Sequence, residues 1–189
     1  VGITAWQGLH KFGHIKSGER VLIHAGAGGV GHLAIQYAKL AGAYVITTAA
    51  KEHHVALYNL GADEIIDYKT QNFENILSQT TKLVDLVFDL VGGETGIKSL
   101  SFLKNNGRIV TVPTITSEKI LEAAKTKSIK ATGMVSENNK EDLKIISKLA
   151  ADKKANLLIA NEFNLQNAKQ AHEKLSQSGR KIGKIVLVS

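Results

Sequence analysis

Four glycines near the start of the chain have the spacing of a turn that binds a diphosphate. The pattern G-x-G-x-x-G is formed by Gly26, Gly28 and Gly31, with Gly29 and Val30 between the last two. In such a turn, the first glycine allows a tight bend, the second lets the backbone approach a pyrophosphate, and the third lets helix and strand pack closely. A helix beginning there presents free N–H groups and its positive dipole end to phosphates. The alternative is a turn that only joins strand to helix.

The kind of dinucleotide depends on the end of the next predicted strand, about 20 residues further along the chain. An acidic residue there would bind the ribose hydroxyls and favour NAD. Ala49 stands at that place, and the first carboxylate after it is Glu52. The missing acid, with Lys51, His53 and His54 nearby, favours a 2′-phosphate and hence NADP. The alternative is that these are exposed residues that open a helix.

Histidines and carboxylates are the other residues of the chain that could carry chemistry. The seven histidines have no metal-binding spacing, and we expect them at the surface or at helix starts, except for His24. His24 lies in the first predicted strand, which favours a core histidine with satisfied hydrogen bonds. Asp85 and Asp89 lie four apart in a predicted strand and so share one side of it. We expect them to bind neighbouring backbone groups. The chain has no cysteine, which excludes disulfides and thiolate ligands.

Short apolar runs and amphipathic stretches alternate along the chain, which predicts βα units and a parallel sheet. The predicted class is therefore α/β, a Rossmann doubly wound parallel sheet of about six strands with helices on both faces. We predict a dinucleotide-binding domain over residues 1–160. Residues 161–189 are predicted to form a C-terminal helix and strand. The dipeptide Asn105–Asn106 before Gly107 predicts a turn.

Composition restricts the partners of the chain. With 43% hydrophobic and 22% charged residues it is typical of a globular protein, and no apolar run reaches the length of a membrane span. The net charge of +7 is concentrated in residues 118–189, which hold 14 Lys/Arg against eight Asp/Glu. A nucleic-acid partner is one interpretation. Few aromatic side chains are available for stacking, so a lysine-rich solvated surface is favoured. We expect no nucleic-acid partner, no membrane and a cytoplasmic location.

Several sequence blocks together resemble a known family. They are TAWQGL, VLIHAGAGGVGHLAIQYAKLAGAYVITTA, LGADEIIDY, VFDLVGGET, GRIVTV and GKIVL. In order and spacing they are similar to the cofactor domain of quinone oxidoreductases, in the medium-chain dehydrogenase/reductase superfamily. The resemblance implies hydride transfer from NADPH to a quinone or an α,β-unsaturated carbonyl. It also implies a GroES-like catalytic domain before Val1, against which the last strand would pack, and little turnover by this chain alone.

The resemblance assigns positions at both ends of the cofactor. At the nicotinamide end, Thr4 would lie near the ring, and Met134 and Val135 beside the carboxamide. No residue is identified as a proton donor.

At the adenosine end, Tyr68 matches a tyrosine that contacts the 2′-phosphate, and Val91 and Gly92 match the loop under the adenine ribose. Where relatives often have a lysine for the 2′-phosphate this chain has His53, and Lys51 is a possible substitute.

The resemblance also implies a homodimer formed through edge strands, with Ile129–Val135 at the interface. Zinc is not expected, because the sequence blocks favour the zinc-independent branch. Three alternatives stay open: the cofactor domain of a zinc-dependent alcohol dehydrogenase, a non-catalytic dinucleotide-binding protein, and a structural protein that binds no nucleotide.

Overall fold

A computed structural model describes residues 1–78, 83–177 and 182–189. Six parallel strands form the main sheet in the order β3-β2-β1-β4-β5-β6. This order is that of the dinucleotide-binding fold, with its switch point between β1 and β4. The predicted Rossmann sheet is confirmed. The strands are β1 Arg20–Ile23, β2 Tyr44–Thr48, β3 Glu64–Ile66, β4 Val84–Asp89, β5 Leu103–Thr111 and β6 Lys130–Gly133.

Helices connect the strands and cover both faces of the sheet. A π-helical turn over Gly8–Phe12 extends the first of them, and a 3₁₀ turn over Lys51–His53 precedes the third. The α-helices of the described residues are α1 Gly2–Gln7, α2 Gly31–Leu40, α3 His54–Asn59, α4 Phe73–Ser78, α5 Gly93–Ser99, α6 Thr114–Thr126, α7 Lys140–Ala151 and α8 Ala168–Ser176. Among the residues that the structure describes, no helix is long and apolar enough to cross a bilayer.

Alternation of side chains along the strands divides the core into two layers. Val21 and Ile23 of β1 pack in one layer with Ala34 of α2, whereas Leu22 packs in the other with Ile120 of α6. Consecutive residues of a strand point to opposite faces, so β1, in which Val21, Leu22 and Ile23 are all apolar and buried, requires helices on both faces. These two layers hold the carboxyl ends of the strands in fixed relative positions.

The predicted turn at residues 105–107 differs from the structure. These residues lie within β5, where the pairing with β4 shifts register between Val84 and Leu86. Asn106 has φ 68°, the left-handed conformation that asparagine tolerates better than most residues. The Asn-Asn-Gly signal therefore marks a bulge inside a strand, because the chain continues in the same direction after it.

The C-terminal unit comprises residues 155–177 and 182–189. It contains β7 Ile159–Asn164 and β8 Lys184–Val188, which pair in parallel as a separate two-stranded sheet, with α8 between them in sequence. The sequence predicted one helix to end at Gln79 and the last to end at Ser178 before Gly179, and these three residues lie outside the described ones. The division into residues 1–160 and 161–189 stays a prediction.

Candidate functional site

The glycine-rich turn connects β1 to α2 and is called the phosphate loop here (residues 24–30). Its backbone folds back on itself, since the Gly28 N–H donates to the Ala25 carbonyl at 3.0 Å and Ala25 has φ 55°. A Cβ on Gly31 would overlap the Ala25 carbonyl oxygen, and one on Gly26 would overlap the Thr47 hydroxyl. Glycine is therefore required at both positions by packing alone, whatever the loop binds.

A cavity of about 420 Å³ opens beside this loop at the carboxyl ends of β1, β2 and β3. Its volume is in the range of small-molecule and cofactor sites. The walls come from four places: the phosphate loop, the end of β2, the segment after β3, and the C-terminal unit. Residues predicted to bind cofactor that line it are Gly28, Gly29, Ala49, His53 and Tyr68.

Other predicted residues lie around this cavity without lining it. Gly26, Val30 and Gly31 form the loop behind the wall, and Lys51 is exposed on the 3₁₀ turn after β2. The cation that lines the cavity at this end is Lys69, immediately after Tyr68.

Lys69 is paired with a carboxylate inside the cavity. Its ammonium lies 2.8 Å from the Glu52 carboxylate, and both side chains are nearly half exposed. The hydrogen bond from Lys69 lowers the pKa of Glu52, and the same contact raises the pKa of Lys69. Sequence reasoning missed the role of this pair, although the adjacency of Lys69 to Tyr68 was a usable signal. A 2′-phosphate placed here would compete with Glu52 for Lys69.

The sheet side of the phosphate loop is held by His24, whose side chain is 1% exposed. The Ser99 hydroxyl donates to the Thr95 carbonyl at 2.7 Å, so it accepts a hydrogen bond from His24 Nε2 at 2.8 Å. Nδ1 then carries no proton and accepts from the Thr48 hydroxyl at 3.2 Å, and that oxygen in turn accepts from the Ala25 N–H. One ordered chain of hydrogen bonds thus connects α5 to the loop.

Burial lowers the pKa of His24 from 6.5 to about 4, and the nearby Asp89 carboxylate opposes this shift only in part. The ring is therefore neutral near pH 7, as the hydrogen-bond chain requires. The predicted core histidine with satisfied hydrogen bonds is confirmed.

The helix side of the loop is held by a second histidine, His32, in the first turn of α2. It lies at a helix start, one of the two positions expected for it, and its ring is fully buried. Nε2 accepts from the Leu158 N–H at 3.1 Å, so the proton is on Nδ1, which donates to the Gly28 carbonyl at 2.8 Å. Burial lowers the pKa of His32 although the bond to Gly28 opposes this. The burial was missed because the C-terminal unit that covers the ring is 126 residues away in sequence.

The predicted ribose loop follows β4. Val91 and Gly92 donate their N–H groups to the Asp89 carboxylate at 3.0 and 2.8 Å. Gly92 has φ 77°, and a Cβ there would overlap the Thr116 hydroxyl, so the position needs glycine. Asp85 accepts from the Arg20 N–H at 2.8 Å. Both carboxylates thus bind backbone groups, as expected.

The predicted nicotinamide residues lie away from the 420 Å³ cavity. Thr4 is inside α1, the Met134 side chain is buried, and Val135 is 68% exposed. Met134 and Val135 line a separate groove between α6 and β6. Gln7 of α1 ties this segment to the helix of Thr4, because its amide exchanges two hydrogen bonds with the Glu137 backbone at 3.1 and 2.9 Å.

Known proteins share this fold and sequence pattern. The family described as zinc-binding dehydrogenase matches residues 60–187. The structure of a quinone oxidoreductase from Coxiella burnetii superposes with a TM-score of 0.92 and 46% identity, over 98% of this chain and 57% of that one. A quinone oxidoreductase from Pseudomonas syringae pv. Tomato gives 0.85 and 29%, over 100% and 62%.

A curated relative is the 2-haloacrylate reductase of a Burkholderia species. It is 40% identical over 109 residues, which are 56% of this chain and 33% of the relative. The chain therefore corresponds to only part of the proteins it resembles, and the matched solved structures extend well beyond it.

Proposed function

Because the chain belongs to the zinc-binding dehydrogenase family, as a quinone oxidoreductase-like member of the medium-chain dehydrogenase/reductase superfamily, we propose that it is the NADPH-binding domain of an oxidoreductase. The acceptor we propose is a quinone or an α,β-unsaturated carbonyl. The observation that carries the proposal is the cavity that joins the phosphate loop to the ends of β2 and β3. The names of the relatives, quinone oxidoreductase and 2-haloacrylate reductase, support the acceptor class.

The residues of the cavity fit a dinucleotide. Gly28 and Gly29 add no side chains of their own to the wall, so an anionic group can approach the backbone before α2 closely. When bound, NADPH supplies the hydride. The chain binds and orients the dinucleotide, with the loop at the pyrophosphate and Tyr68 and Lys69 at the adenosine end.

NADPH is proposed over NADH because no carboxylate follows β2 directly. Ala49 and Ala50 stand there, and both are buried. Glu52 is the nearest acid, and its charge is engaged by Lys69 at 2.8 Å. A 2′-phosphate would gain a charge-assisted hydrogen bond from Lys69, and His53 lines the same end of the cavity.

Calorimetric titration of the 189-residue chain with NADPH and with NADH at low salt tests this proposal. We expect tighter binding of NADPH. Equal or tighter binding of NADH would leave a dinucleotide domain and overturn the NADPH assignment. The same test applies to a protein that contains this chain and has the length of its relatives. If that protein binds NADPH but oxidises none with any quinone or enone, a non-catalytic binding protein is favoured.

The name of the family implies zinc, and the residues of this chain do not fit that metal. Among residues 1–78, 83–177 and 182–189, no group of three or more His, Asp or Glu side chains could hold a metal ion. Cysteine, a common zinc ligand, does not occur in the sequence. We therefore assign no step to a metal.

We also propose a homodimer formed through β6 and its flanking residues, Ile129–Val135. In the described part of the chain β6 pairs only with β5, and its outer edge has no strand partner. An edge of this kind can pair with a second copy. Equilibrium sedimentation checks the proposal, and a monomer at high concentration would contradict it.

We also propose a cytoplasmic location for the protein, which cell fractionation tests.

A further inference from the structure

We propose that Gln7 is a positioning residue for the second half of a bound dinucleotide, because it fixes the segment that follows β6 at the carboxyl edge of the sheet. This segment, residues 134–137, is called the edge segment here. The inference rests on the proposed dinucleotide function and deepens it. It gives a role to a fully buried side chain that does not line the 420 Å³ cavity.

The position of the cavity determines where the two halves of a dinucleotide would lie. The phosphate loop and the ends of β2 and β3 form its walls, so it accommodates the adenosine half. A dinucleotide on a doubly wound sheet crosses the switch point, which here lies between β1 and β4. The nicotinamide half would therefore extend over the carboxyl ends of β4, β5 and β6. The edge segment begins where β6 ends.

The start of the edge segment is fixed by Met134. Its N–H donates to the Thr111 carbonyl at the end of β5, at 2.9 Å, and its side chain is buried. The sulfur lies beside Gly8, where a Cβ would be 3.1 Å from it and would overlap the Phe88 ring of β4. The glycine that follows Gln7 thus lets this part of the chain approach the sheet closely.

The end of the edge segment is fixed by the amide of Gln7. Its Oε1 accepts from the Glu137 N–H at 2.9 Å, and its Nε2 donates to the Glu137 carbonyl at 3.1 Å and to the Asp142 carboxylate at 2.7 Å. Both amide hydrogens and the oxygen are therefore used. The flipped amide would set donor against donor and acceptor against acceptor, so these partners permit a single orientation.

Val135 and Ser136 lie between the two fixed ends, and both are exposed. In residues 1–78, 83–177 and 182–189, their backbone N–H and carbonyl groups have no hydrogen-bond partner. Such groups bind a polar ligand group well only when the backbone is already held in place, because ordering it on binding costs affinity. Gln7 holds the end of the segment that has no strand partner.

The first experiment compares two ligands on the 189-residue chain by calorimetry. NADPH contains both halves of the dinucleotide, whereas 2′,5′-ADP lacks the nicotinamide half. Gln7→Met keeps the length of the side chain and removes its hydrogen bonds. It should weaken NADPH binding about tenfold, since the edge segment is no longer held, and leave 2′,5′-ADP binding unchanged.

Lys11→Met is the matched control for this experiment. The Lys11 ammonium pairs with the Glu137 carboxylate at 2.6 Å, but both side chains are well exposed and the backbone of the edge segment is not involved. The pair should therefore contribute little. We expect the affinities of Lys11→Met for NADPH and for 2′,5′-ADP to equal those of the unmodified chain.

The second experiment uses the fluorescence of bound NADPH, which reports the surroundings of the dihydronicotinamide ring. At saturating protein, the emission from the Gln7→Met complex should shift towards that of free NADPH. Lys11→Met should keep the emission of the unmodified complex. A loss of stability alone leaves the emission of bound NADPH unchanged, so this measurement separates positioning from a purely structural role.

Two further variants keep the test independent of the folding of Gln7→Met. Asp142→Ala removes only one bond of Gln7, at a half-buried position, and should give a smaller loss of affinity for NADPH alone. Gln7→Glu places two carboxylates together and should weaken NADPH binding strongly. Adding Asp142→Asn to Gln7→Glu restores a donor and an acceptor to that contact, so this double variant should recover part of the affinity.

Equal losses of NADPH and 2′,5′-ADP affinity in Gln7→Met and Asp142→Ala, or no loss of either, would overturn the role of Gln7 and leave the proposed function intact. Equal affinities of the unmodified chain for the two ligands would do the same, because the nicotinamide half would then contribute nothing. If the unmodified chain binds neither ligand, the proposed function fails and this inference fails with it.

Discussion

The two sides of the phosphate loop are each held by a buried neutral histidine, and the two differ in what they connect. On the sheet side, His24 bonds to the Thr48 and Ser99 side chains, all within the six-stranded core. On the helix side, His32 bonds to backbone groups of Gly28 and Leu158 and so crosses to the C-terminal unit. The rings also carry their proton on opposite nitrogens, Nε2 in His24 and Nδ1 in His32.

His24 and His32 therefore support the phosphate loop in different ways. The sheet side fixes the path of the loop through the core, so its perturbation should appear as lost stability. The helix side attaches a wall and a cation from the end of the chain, so its perturbation should appear mainly as lost affinity. Each prediction below tests whether stability and affinity separate in this way.

Two alanine substitutions in the same loop should give the largest contrast. Gly31→Ala would drive a Cβ into the Ala25 carbonyl, and we expect a loss of about 3 kcal/mol in unfolding free energy. The Cβ of Gly29→Ala would lie 3.2 Å from the flexible stem of Lys184 and at ordinary contact distances from Val1 and Gly183, so stability should be nearly unchanged while NADPH binding weakens. Urea unfolding measures the stability of the two variants, and calorimetry measures their NADPH affinity. Similar losses of stability in the two variants would contradict the expected separation of stability from affinity.

The next largest effect should come from acid, which should lower the stability of the fold through His24 on the sheet side of the loop. The pKa of His24 is about 4 in the folded chain, against 6.5 for an unperturbed histidine. The unfolded chain therefore binds more protons between these values, and stability falls as the pH drops from 6.5 towards 4. The full loss is on the order of 3 kcal/mol. Urea unfolding across this pH range should show a smaller slope in a His24→Gln variant, and an unchanged slope would contradict the assignment.

Cofactor choice should depend on neither histidine. Lys69→Met should weaken NADPH binding about tenfold with NADH binding unchanged, because one charge-assisted bond to the 2′-phosphate is lost. Stability should change little, since an exposed ion pair contributes about 0–1 kcal/mol. Lys51→Met is the control, as this exposed lysine lies outside the cavity wall. Calorimetry with NADPH and with NADH measures the affinities of both variants. An equal effect of the two substitutions would contradict a role of Lys69 in binding the 2′-phosphate.

A change far from the loop should lower stability alone. The Asn139 side chain caps α7 by accepting from the N–H groups of Glu141 and Asp142, each at 2.9 Å. Asn139→Ala should cost about 1 kcal/mol in urea unfolding. NADPH affinity should stay the same, which sharpens the contrast with His32. Weaker binding in this variant would mean that affinity follows global stability.

Local patterns were sufficient for much of the fold and part of the site. The six strands and the glycine turn follow from apolar runs and from glycine spacing, which are properties of neighbouring residues. The burial of His24 was predictable because it follows an apolar strand that must be covered on both faces. The sequence also predicts a cap of α7 at Asn138 or Asn139, and the structure has it at Asn139.

Contacts between distant segments decided the rest. Lys69, not Lys51, lines the cavity because the ends of β2 and β3 meet there, and the Glu52 pairing with Lys69 joins two separate loops. His32 is buried, and Lys184 lies over Gly29, because the C-terminal unit docks on the loop. By itself the sequence determined the fold and the phosphate turn, since both are encoded by adjacent residues. Only the tertiary structure decided which charges surround that turn, because those charges come from segments that meet after the sheet has formed.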